Sequence, residues 1–244
     1  MSDHSFLSAW REQSLGRRLF LRVTAASAAT VTLVAAGCTT PTPTPVVVDP
    51  YQLALPAGNP GLLYYAYLMA MAQAALYQKV ADLPPIDLTA AERVIFTDLR
   101  DHEVVHRELL KYLIDPTGLV LLLPTDFAVN LSSFTLTTRA GVLAAAQLLE
   151  DLTAAAYPVL LPLFTSAGVA LRNLLLKVAS VQARHAATVR DLLTPGSFAN
   201  NDVVAASGTL AGQLLTKTPT EVTAALAPYF APYVISVANL AVPV

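Results

Sequence analysis

The 244 residues predict an all-α fold, a four-helix bundle with one long crossover between its second and third helices. Three observations carry that expectation. Hydrophobic residues make up 55% of the chain against 13% charged, and the excess is rich in Ala and Leu, which favour helix over strand. Four segments repeat their apolar residues at helical spacing. Short links join the first segment to the second and the third to the fourth, whereas a link of residues 115–138 separates the second from the third.

An address precedes the folded part. Ser14-Leu15-Gly16-Arg17-Arg18-Leu19-Phe20-Leu21-Arg22 resembles a twin-arginine export signal, with Arg17 and Arg18 as its pair. The apolar stretch 23–37 has the length of a signal core and is short for a membrane span. Val34-Ala35-Ala36-Gly37-Cys38 then resembles a lipobox, with Ala35 where Leu is commoner, so Cys38 is the expected lipidation site. Residues 1–37 are therefore read as a signal and 38–59 as a proline-rich tether. Residues 39–50 run TTPTPTPVVVDP, extended chain that reaches about 35 Å. The expected location is exported, periplasmic or on the outer surface, with the membrane as partner through the lipid anchor.

Removing residues 1–37 leaves 11 bases against 15 acids, a net charge of −4, and no later Lys/Arg cluster. That excludes nucleic acid as a partner. The single cysteine forms no internal disulfide. A homo-oligomer is left open, and no pattern indicates a small-molecule substrate.

The bundle is expected over residues 60–194. Its first helix, 61–81, has no charge before Lys79, so it belongs in the centre. The second runs over 88–114, with Thr89 as cap and Glu92 three residues on as a capping box. The third spans 139–166, bent or interrupted by Pro158 and Pro162. The fourth runs over 167–193 and stops at Thr194-Pro195-Gly196. Residues 195–244 form an extension packing on the bundle, with a short helix at 220–230.

Polar residues interrupt three apolar stripes. On the fourth helix Gln182 and His185 fall among Leu171, Leu175, Val178, Val189 and Leu192, while Arg190 is rotated off that face. On the second, Glu103 and His106 fall among Leu99, Leu110 and Leu113 at the same spacing of three. On the third, Glu150 shares a face with Leu143, Ala154, Tyr157 and Leu161, while Asp151 is rotated outward. A buried ionised carboxylate costs several kcal/mol unless a cation, metal or proton meets it. His102 is expected to be a surface histidine.

Glu103-x-x-His106, and Glu150 followed 35 residues later by His185, resemble the ligand pattern of ferritin-like di-iron carboxylate proteins. The strings Asp101–His106, Glu150–Tyr157 and Gln182–Ala187 are similar to an exported branch that includes desiccation-related proteins. The resemblance implies a ferritin-like bundle and a role in stress or in the envelope. It also implies a glutamate on the first helix and a Glu-x-x-His on the fourth. This sequence has Ala70 and Met71 where the internal repeat places the first, Gln73 one turn on, and Gln182 in the second.

Two divalent ions carry +4, whereas Glu103 and Glu150 supply only −2, so a two-metal centre is not expected. Ferroxidase or di-iron oxidase activity is doubtful for the same reason, and no catalytic residue is assigned. Two readings stand. The first is a non-catalytic, membrane-tethered ferritin-like protein with a degenerate, metal-free site, in which Arg100 or Arg107 satisfies Glu103. The second is a mononuclear metal protein or oxidoreductase using Glu103, His106, Glu150 and His185, with one Fe, Mn or Zn ion and with Ala70, Gln73, Gln182 and Tyr157 lining the site. The absent acids on the first helix favour the first.

Overall fold

Five α-helices dominate the computed structural model, which describes residues 49–119 and 123–240. Arg17, Arg18, Cys38 and the expected signal 1–37 lie outside the described residues, as does the first half of the expected tether. Helix α1 (Gly58–Asp82) places Pro60 in its first turn, where a missing N–H costs nothing. From Leu62 to Ala70 only Tyr64 escapes full burial, so α1 is enclosed on every side. It packs on α2 (Ala90–Ile114) and α3 (Arg139–Leu160), and α3 packs on α4 (Val169–Leu193).

The helix ends have local causes. Thr89 and Glu92 form the capping box of α2. Glu92 also accepts from Arg139 Nε at 2.6 Å, and Arg139 Nη2 donates to the Leu192 carbonyl at 2.9 Å. One arginine thus ties the start of α2 to the start of α3 and the end of α4. Helix α3 stops at Leu160 rather than at 166. Pro158 is accommodated on an exposed position, but Pro162 has no N–H to continue the ladder, and the chain passes through 3₁₀ turns at Leu161–Leu163 and Ser166–Gly168.

Two rotations read from the helical wheel are corrected. Arg190 lies off the apolar stripe of α4 yet is only 5% exposed. Its guanidinium donates to both oxygens of Asp151, at 2.8 and 2.7 Å, and to both of Asp202, at 3.1 and 2.8 Å. Asp151 is accordingly half-buried rather than exposed. The extension after α4 folds back over that edge, which a single-helix wheel does not register.

The expected tether and extension also meet. Strand β1 (Gln52–Ala54) lies within residues assigned to the tether, and it pairs in parallel with β2 (Val234–Ser236), Leu53 opposite Ile235. Three-residue strands are too short to show an alternating pattern. Next to this pairing, a Cβ on Gly61 would collide with the Pro56 carbonyl, so only glycine lets the chain turn into α1 here. Helix α5 (Pro219–Phe230) packs on α3, and Lys217 N donates to the Ala155 carbonyl at 3.0 Å. The 115–138 link is held by the same extension: Phe134 stacks on Tyr229, Phe127 meets Phe230 and Tyr233, and Asn130 N donates to the Tyr229 carbonyl at 2.8 Å. Among the described residues no helix is long and apolar enough to cross a membrane.

Candidate metal centre

The middle turns of the four long helices bring their polar residues to one buried place. Glu103 and Glu150 are fully buried, Gln73 and Gln182 are 1% exposed, and His106 and His185 are 7% and 6% exposed. The spacing of three on α2 and α4 puts each histidine one turn beyond its partner on the inward face. Helix α1 contributes Gln73 and Tyr77, four apart. Ala70 is buried on α1 and brings no polar atom.

Two halves of this cluster differ. In the first, amides fill the positions where the resemblance implies acids. Gln73 Nε2 donates to Gln182 Oε1 at 2.9 Å. Gln182 Nε2 lies 2.8 and 3.0 Å from the two oxygens of Glu103 and 3.1 Å from His106 Nδ1. His106 Nδ1 is also 3.4 Å from Glu103 Oε2. This half is closed by hydrogen bonds.

The second half is open. Glu103, Glu150 and His185 each present one ligand atom within 4.8 Å of the others. His185 Nδ1 is 2.9 Å from Glu103 Oε1 and 3.7 Å from Glu150 Oε1, yet neither oxygen stands in line for a ring N–H. Glu150 Oε1 accepts from the Tyr77 hydroxyl at 2.6 Å, but Glu150 Oε2 and Gln73 Oε1 find no donor. These three buried polar atoms without a hydrogen-bond partner lie in one cluster, and a cation would satisfy them. Two carboxylates and an imidazole are donors that suit a divalent transition ion. The buried Glu103, Glu150 and His185 group is therefore fit to hold one metal ion.

The electrostatics agree with an asymmetric pair. Burial and the Glu103 charge push the Glu150 carboxyl well above its ordinary range, against the Tyr77 hydrogen bond. Burial works in the same direction on Glu103, but His106 and His185 beside it hold that carboxyl below its ordinary value. The two carboxyls are thus pushed in opposite directions. Tyr157 is buried nearby, where desolvation and then the Glu103 charge raise its hydroxyl. Tyr77 makes the bond to a site carboxylate, and burial raises its hydroxyl too.

Neither arginine considered for Glu103 reaches it: Arg100 pairs with Asp101 and Arg107 with Glu108. His106 stands apart from the three-atom group, facing Gln182. His102 is exposed, but its Nδ1 lies 3.0 Å from His185 Nε2. Helical rotation alone could not show that, because the contact comes from a second helix.

A mostly helical fold with carboxylates and histidines gathered at mid-helix defines a ferritin-like protein. Residues 59–195, more than half of the chain, match the ferritin-like domain family, and this protein belongs to that family. No curated protein and no solved structure matches it.

Proposed function

We propose that this protein is an exported, membrane-tethered ferritin-like protein whose core binds one divalent metal ion through Glu103, Glu150 and His185. The observation that carries the reading is the trio of buried polar atoms without a partner, Glu150 Oε2, His185 Nδ1 and Gln73 Oε1, set beside the buried Glu103 carboxyl. With Glu150 deprotonated, the two carboxylates balance one divalent charge and fall short of two. Fe, Mn or Zn all suit these donors, and the bound ion would supply a fixed positive charge and, for iron or manganese, a one-electron redox centre.

The protein's own residues do the rest. Tyr77 orients Glu150, Gln182 orients Glu103, and the Gln73–Gln182 amide pair occupies the side where a second set of acids is missing. That amide chain favours the other reading, a metal-free and non-catalytic core, because it supplies Glu103 with a donor. It leaves Glu150 Oε2 and His185 Nδ1 unaccounted for, which is why the one-metal reading is preferred.

The four long helices are proposed to form the ferritin-like bundle with its crossover between α2 and α3. Export, lipidation at Cys38 and a stress or desiccation role rest on the resemblances of the N-terminal and site strings. Elemental analysis of protein purified from its own compartment tests the metal reading: one ion per chain is expected, and a chelator should lower the melting temperature. Metal-free protein that takes up no ion from solution would end this reading in favour of the metal-free core.

A further inference from the structure

We infer that His102 is a positioning residue for the metal site, the partner that holds the His185 ring so that its Nδ1 faces Glu103 and Glu150; the inference rests on the one-metal reading above. The two imidazoles are parallel to within 3°, with Nδ1 of His102 and Nε2 of His185 3.0 Å apart and ring centres separated by 5.2 Å. That separation is about the N···N contact plus the two centre-to-nitrogen radii. The rings therefore meet edge to edge in one plane, the arrangement of an N–H···N hydrogen bond rather than of face-to-face stacking.

The direction of that bond has a chemical consequence. Ligation through His185 Nδ1 needs a lone pair there, which puts the ring proton on Nε2. His102 Nδ1 is the acceptor that keeps it there. Metal-bound histidines ordinarily give their second nitrogen to a carboxylate, a carbonyl or water, and this sets tautomer, orientation and basicity. Here an exposed imidazole on α2 takes that part for a histidine on α4.

Cobalt(II) titration of the full chain, followed by its visible absorption, tests the inference. His102→Ala should weaken binding about 10–100-fold, the range for loss of such a partner. Because His102 is exposed, the same change should leave the melting temperature of the metal-free chain as it was, which a merely structural role would not. His102→Gln, whose amide can meet Nε2 as acceptor, should recover most of the affinity. Equal cobalt affinity in His102→Ala and the parent overturns the positioning role while leaving the metal site standing. No uptake by the parent chain overturns the metal site, and the role of His102 with it.

Discussion

Glu103 and Glu150 are both fully buried, yet their surroundings part them. Glu103 has Gln182 and two imidazoles for company, and these favour its charged form. Glu150 has one hydroxyl, and burial and then the charge of Glu103 favour its protonated form. The sign of the pH dependence follows. A carboxyl raised in the folded state keeps a proton that the unfolded chain releases, so its contribution to stability falls as pH rises above the unfolded value near 4.3. In metal-free protein Glu150→Gln is expected to stabilise by about 1–2 kcal/mol at pH 7, with the gain gone near pH 4, and to lower metal affinity. Thermal melts at the two pH values check this, and a variant less stable than the parent at pH 7 would contradict it. Glu103→Gln has no such benefit, because it would set an amide N–H₂ against the donor face of Gln182 or leave that donor with a single acceptor.

At the scale of elements, Glu92 joins a capping box to an ion pair. Arg139 first, with Thr89 after burial is set against them, pulls its carboxyl down to about 2. A depressed carboxyl adds stability above its unfolded value and loses it as pH falls toward the folded one, here between about 4.5 and about 2. Arg139 is 35% exposed, so solvent screens part of the effect. Glu92→Gln should therefore cost roughly 1–2 kcal/mol at neutral pH and little at pH 2, as read by urea unfolding at both. A pH-independent cost would point to lost capping alone. The capping box is legible in the string Thr89-x-x-Glu92, whereas the third partner, 47 residues away, is not.

At the scale of the whole molecule, the described residues 49–119 and 123–240 belong to one compact unit in which the C-terminal extension returns to the segment before α1. β1 and β2 close that return, and Leu240 lies against Gly61 at the entry to α1. Residues 52–54 of the expected tether therefore belong to the folded unit. No helix among the described residues is long and apolar enough to cross a membrane, and the expected lipidation site at Cys38 lies outside them. Cys38→Ala should abolish acyl labelling and release the protein in soluble form on cell fractionation. Acyl label retained by the variant would count against lipidation at this residue.

Local sequence pattern was enough for the four long helices, the capping box at Thr89 and the buried faces of Glu103, His106, Glu150, Gln182 and His185. Those features depend on local spacing along one helix, and 100° per residue turns spacing directly into direction. Tertiary structure alone decided what each inward group meets. It burned no new residue types into the site but sorted those present, putting Gln182 between Glu103 and His106, turning His185 toward the two carboxylates and bringing His102 edge-on to it. It also buried Arg190 between Asp151 and Asp202 and paired two strands too short to carry a pattern. These are contacts between segments distant in the chain, and a helical wheel holds information about one segment at a time.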